Sequence, residues 1–126
     1  MIPTFIRSYE AAAAVEGFLI VKFAAPGSNQ TVEAADSNTA PLVGVADKMG
    51  ADAGGMLDVH RGGLVSVRLG GAVNAGDPLT ADASGKAIAA AAAASTTVRI
   101  IGYADQAGVA DDIIDVMWAP GLLHQA

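Results

Sequence analysis

Two stretches of this chain are similar to one another, and the similarity limits how the chain can fold. They are LVGVADKMGADAGGMLDVHR at 42–61 and IIGYADQAGVADDIIDVMW at 100–118. Six identities link them, at an offset of 58 and then of 57: Gly44, Ala46, Asp47, Gly50, Asp58 and Val59 match Gly102, Ala104, Asp105, Gly108, Asp115 and Val116. Each stretch reads as a strand, a wide Gly/Asp loop and a second strand. This predicts two related β-ribbons that pack as pseudo-symmetric halves of one closed sheet, although a chain rich in Ala and Gly leaves both duplication and coincidence open.

Short segments of strand-forming residues recur about every ten residues, separated by Gly, Pro, Asn and Asp. The strongest segments lie at 17–23, 41–47, 56–61, 64–70, 97–105 and 112–119, and weaker ones lie near 30–35, 78–81 and 86–90. The alanine run at 87–94 favours a helix by propensity but is too short to be stable alone, so we expect at most a short helical turn. The spacing predicts an all-β, single-domain β-barrel or sandwich with long Gly/Asp loops.

The two ends of the chain are more apolar than free tails would be. At the N-terminus, MIPTFIRSY is either an ordinary first strand of the core or an arm that docks on a partner. We divide the chain into an N-terminal arm, 1–10, and one β-rich domain, 11–126. The arm residues that we expect to bind a partner are Ile2, Phe5, Ile6, Arg7 and Tyr9.

The C-terminal segment WAPGLLHQA predicts a subunit interface formed by Trp118, Leu122 and Leu123. The core supports this expectation, because only three Phe, two Tyr and one Trp are present and much of the apolar content is alanine. A core of small side chains is thin per residue, so burying further apolar surface against other copies would stabilise the fold.

Charge and composition exclude several classes of partner. The formal net charge is −6 and the seven Lys and Arg residues are scattered, so we expect no nucleic-acid partner. The apolar run at 11–23 is short for a membrane span and contains Glu16, so we expect no membrane partner and a soluble protein made in the cytoplasm. Cysteine is absent, which removes disulfides and thiolate metal sites.

Catalytic and cofactor motifs are also missing from the sequence. The glycine-rich stretch LGGAVNAGDPLTADASGKAIAA at 69–90 has neither a P-loop ending nor dinucleotide-binding spacing, so its glycines predict turns. The two histidines, His60 and His124, are far apart, and the acidic group 111–115 lacks EF-hand spacing. No serine lies in a nucleophile elbow. We therefore expect no enzyme, no cofactor and no metal.

Taken together, the segments SYEAAAAVEGFLIVKF, PLVGVAD, AGDPLTADASGKAIAA, RIIGYADQAG and DDIIDVMWAPG resemble the small capsid decoration, or cement, proteins of tailed bacteriophages. The resemblance runs from about Tyr9 to Gly121. It implies a β-rich protein that binds the major capsid protein as a homotrimer, on the outer surface of the virion, at threefold and quasi-threefold positions. There it would stabilise the expanded, DNA-filled shell after synthesis in the host cytoplasm.

Two other classes of function remain open. A carbohydrate- or host-surface-binding β module is one, although such modules usually present stacked aromatic rings and the aromatic residues here are dispersed. A trimeric β-rich nucleotide hydrolase is the other, for which HRGG at 60–63 is the only fragment of a matching motif.

Overall fold

A computed structural model describes residues 2–24 and 31–126 of the chain. These residues form strands joined by turns and loops, and no helix occurs in either range. The strands are β1 (Ile2–Ala11), β2 (Ile20–Phe23), β3 (Thr31–Ala34), β4 (Leu42–Ala46), β5 (Met56–Arg68), β6 (Pro78–Ala81), β7 (Ala87–Ala89), β8 (Thr96–Ala104) and β9 (Ile113–Gln125). The predicted all-β fold is confirmed.

The strands form one sheet that closes on itself. The order is β1-β3-β2-β4-β5-β9-β8-β6-β7, and β1 also pairs with β5, which closes a barrel of β1, β3, β2, β4 and β5. Beyond it, a parallel bridge between Leu69 and Ala87 brings β7 back beside the end of β5. We call the closed barrel the first ring, and β5, β9, β8, β6 and β7 the second ring. Strand β5 therefore belongs to both rings.

The two predicted ribbons have the same strand register. In the first ring Val45 lies opposite His60, and at the equivalent positions of the second ring Tyr103 lies opposite Met117. The loops correspond as well, because Asp47 N–H donates to the carbonyl of Asp58 at 2.9 Å and Asp105 N–H donates to that of Asp115 at 3.0 Å. The structure therefore contains two ribbons with matching register.

The repeat continues beyond the stretches that the sequence linked. Ser8 donates to the carboxylate of Asp58 at 2.6 Å, and Ser66, at the same offset, donates to that of Asp115 at 3.2 Å. Strand β1 runs beside β5 as the second half of β5 runs beside β9. The first half of β5 thus completes the first ring, and its second half begins the second ring.

Each ring encloses its own apolar core. One cluster joins Tyr9, Ala11, Val15, Leu19, Val21, Val32, Val43, Ala46, Leu57 and Val59 inside the first ring. The other cluster contains the equivalent residues of the second ring, such as Val67, Ile101 and Val116. Three residues of the first ring, Ile20, Ala35 and Val45, belong to this second cluster, so the rings pack against each other.

Some element boundaries differ from those expected. The segments predicted at 56–61 and 64–70 form one strand, β5, because Gly62 and Gly63 continue the pairing with β1 instead of turning. Gly63 has φ +79°, and a Cβ there would clash with the carbonyl oxygen of Ile2. The last predicted strand is longer than expected and extends to Gln125. The alanine run contains the short strand β7 rather than a helical turn.

Candidate interaction surface

Strand β1 presents apolar side chains to solvent over its first half. Ile2, Phe5 and Ile6 are 66 %, 52 % and 48 % exposed. The strand itself is held by antiparallel pairing with β5, from Ile2 opposite Leu64 to Glu10 opposite Met56. These three side chains are therefore displayed on a fixed backbone, which lowers the entropy cost of binding a partner.

Tyr9, in contrast, is part of the core. It is buried, its ring meets that of Phe23 edge-on with centroids 6.1 Å apart, and its hydroxyl accepts a hydrogen bond from Arg61 Nη1 at 2.9 Å. Arg61 Nε also donates to the carbonyl of Val43 at 3.0 Å. The guanidinium of the exposed residue Arg7 lies 4.8 Å from the centre of the Tyr9 ring, within range of a cation–π interaction.

The C-terminal residues extend the β8–β9 ribbon past the second ring. Trp118 is half-buried and packs against the second core cluster, together with Leu42. Leu122 is exposed, whereas Leu123 is half-buried and lies opposite Val98. Trp118 and Leu122 line a shallow groove that Leu42, Arg99, Ile100, Pro120 and Gly121 complete.

Another exposed apolar row crosses the second ring. Tyr103 and Met117 lie opposite each other and are 45 % and 49 % exposed. Pro78, opposite Tyr103, and Leu64, opposite Met117, extend the row as half-buried residues. Sequence reasoning did not find this row, because only the register shows that these four side chains share one face.

The polar candidates pair with one another rather than converge on a site. His60 is buried with Nε2 3.4 Å from Asp47 Oδ1, and His124 Nδ1 lies 2.7 Å from the hydroxyl of Thr97. The Lys86 ammonium donates to Asp111 at 2.9 Å and lowers the pKa of that carboxyl. Across residues 2–24 and 31–126, no three His, Cys, Asp or Glu side chains are grouped so as to hold a metal ion.

The described part of the chain also has no helix that is long and apolar enough to cross a membrane.

Known proteins share this architecture and parts of this sequence. One solved structure with the same fold is "the crystal structure of head fiber gp8.5 N base in bacteriophage phi29", which matches with a TM-score of 0.67 over 91 % of this chain and 93 % of that chain. The two sequences are 18 % identical, so this match concerns the fold alone. A search of curated proteins gives no match. The model of the phage cement protein family matches residues 6–117, and the chain belongs to this family of phage head structural proteins.

Proposed function

We propose that this chain decorates the outer surface of a tailed-phage head as a homotrimer. It binds the major capsid protein at threefold and quasi-threefold positions and stabilises the expanded, DNA-filled shell. Membership of the cement family supports the role at the head. The observation that carries the proposed attachment is the row of exposed apolar side chains on β1, since exposed apolar surface of this kind marks protein interaction sites.

The size of the β1 surface explains why several copies would act together. Burying the exposed halves of Ile2, Phe5 and Ile6 contributes about 1 kcal/mol for each side chain. Association of two molecules costs about 4 to 15 kcal/mol, so one copy of the strand binds weakly. Three copies on one rigid trimer make the second and third contacts intramolecular, which raises affinity about a hundredfold or more.

Stabilisation of the shell follows from binding several capsid subunits at once. A ligand that binds only the assembled state stabilises that state by mass action. A trimer that contacts neighbouring subunits of the major capsid protein must be released before those subunits can separate. The expanded shell is thereby held against the pressure of the packaged DNA.

The C-terminal extension supplies a proposed subunit contact. Trp118, Leu122 and Leu123 lie on the part of β9 that continues past β5, where Leu122 is exposed. Replacing Leu122 and Leu123 together by Asp is expected to lower the sedimentation mass of the purified protein below that of a trimer. An unchanged mass in the double variant would remove these residues from the interface.

The attachment surface is tested by replacing Ile2, Phe5 and Ile6 together by Ser and measuring binding to expanded heads that lack the protein. We expect at least a tenfold loss of affinity with an unchanged circular dichroism spectrum, because all three side chains point to solvent. Met49→Ser is the control, since Met49 is 80 % exposed but lies in the loop between β4 and β5. Full binding by the folded triple variant would contradict the proposed attachment through β1.

A further inference from the structure

The internal repeat allows the same outer surface to be compared on the two rings. On the first ring, one row of residues crosses neighbouring strands, each opposite the next: Ile20, Val45, His60 and Ile6. The equivalent row on the second ring, at offsets of 58 and 57, consists of Pro78, Tyr103, Met117 and Leu64. We call them the covered row and the open row.

Exposure separates the two rows. In the covered row Ile20 and Val45 are 0 % exposed and His60 is 2 % exposed, whereas Ile6, at the β1 end of the row, is 48 % exposed. In the open row the residues equivalent to Val45 and His60, which are Tyr103 and Met117, are 45 % and 49 % exposed. The backbone pairing is the same, so the difference comes from what packs on top of each row.

The second ring covers Ile20 and Val45 of the first ring. Ile20 and Val45 belong to a core cluster whose other members, apart from Ala35, all come from residues 65–116. Backbone hydrogen bonds fix this contact, since Ile20 N–H donates to the carbonyl of Gly85 at 2.7 Å and Arg68 N–H donates to that of Phe18 at 2.9 Å. The chain thus contains one head-to-tail contact between two similar rings.

We propose that the open row is the docking site for a second copy of this chain, in a head-to-tail contact that repeats the one between the two rings. The first ring of the neighbouring copy would lie over the open row. It would do so in the same way as the second ring lies over the covered row within one chain. This inference rests on the proposed self-association of the chain and identifies the surface that mediates it.

The chemistry of the open row suits such a contact. Its four side chains are apolar apart from the hydroxyl of Tyr103, and Tyr is a frequent anchor in protein interfaces because its ring buries area while its hydroxyl stays hydrogen-bonded. The contact is heterologous, because it joins two different surfaces of the same chain. Heterologous contacts that close produce cyclic assemblies, of which a trimer is one.

Sedimentation velocity on the full chain at micromolar concentration tests the surface. Met117→Lys and Tyr103→Lys are each expected to convert the wild-type oligomer to monomer, with an association at least about tenfold weaker. Met49→Lys is the matched control, since it makes the same change at a residue that is 80 % exposed in a loop. Unchanged thermal unfolding shows that the variants are folded. Retention of the oligomer by both row variants, or a monomeric wild type, would overturn the inference.

The absence of cysteine from the chain allows a test of the head-to-tail arrangement. In a heterologous contact Met117 does not face Met117 of the next copy, so a Met117→Cys protein should form no more disulfide dimer on mild oxidation than Met49→Cys. Efficient crosslinking through residue 117 would indicate a two-fold contact and overturn the proposal. Head binding is scored separately: an oligomer that fails to bind expanded heads contradicts the proposed function but leaves this surface intact.

Discussion

Truncating Tyr9 should show whether β1 is a structural strand as well as a binding one. Tyr9→Ala removes a buried ring that packs against Phe23 and a hydroxyl that accepts a hydrogen bond from Arg61. Removing a buried aromatic side chain costs about 3 to 5 kcal/mol. For a chain of this length we expect the midpoint of thermal unfolding to fall by about 10 to 20 °C.

Phe5→Ala provides the matched control for this experiment. Phe5 lies on the same strand but is 52 % exposed, so its truncation should cost only about 1 kcal/mol. Thermal unfolding followed by circular dichroism, with urea titrations for the free energy of unfolding, measures both variants. Equal and small losses would refute the reasoning, because they would mean that residues 2–11 detach from the domain without unfolding it.

Two further substitutions test the interior and the surface of the second ring. Thr80→Val should raise the free energy of unfolding by about 1 kcal/mol in urea titrations, because the buried Thr80 hydroxyl has no hydrogen-bond partner among the described residues. Lys86→Met should lower stability near pH 7, since Lys86 holds the pKa of Asp111 below its ordinary value. That contribution is present above the unfolded-state pKa and disappears as pH falls through the folded-state pKa, so the difference in stability between the two proteins should begin to shrink below about pH 4 and vanish at still lower pH.

The sequence revealed the repeat where backbone geometry leaves little choice of residue. Gly44 and Gly102 are equivalent, and each lies where its strand shifts register against a neighbour. A Cβ at Gly44 would lie 2.6 Å from the carbonyl oxygen of His60, and one at Gly102 would clash with that of Met117. Glycine therefore fills both positions, and these identities made the two ribbons recognisable.

At other equivalent positions the two halves have the same backbone structure but different residue types. Tyr9 and Val67 occupy equivalent core positions, and any apolar side chain of suitable volume can serve there. Phe18 and Gly76 occupy equivalent positions in corresponding turns of the two halves, with φ of 67° and 90°. Because a bulky residue is rarely found in this conformation, the sequence gives no sign that the turns correspond.

The residues of the proposed interaction surfaces can be recognised in the sequence only in part. Apolar residues before the first strand signal and after the last one are visible in the sequence, which is how Phe5 and Leu122 were selected. Tyr103 and Met117 lie inside strands, where alternation tells which face each occupies but not whether another element covers that face. Their exposure depends on contacts between the two rings, which are far apart in sequence.

The proposed capsid surface and the proposed copy contact adjoin each other across β5. Ile2 lies opposite Leu64, and Leu64 lies opposite Met117, so the exposed end of β1 continues the open row. Strand β5 carries residues of both surfaces and is hydrogen-bonded on its two edges, to β1 on one side and to β4 and β9 on the other. A copy docked on the open row would therefore lie beside the side chains that meet the capsid and restrict how β1 is presented. Since binding equilibria at two coupled sites affect each other equally, capsid binding should favour association of the copies as much as association favours capsid binding. This coupling would make the copies associate more tightly on the capsid than they do in solution.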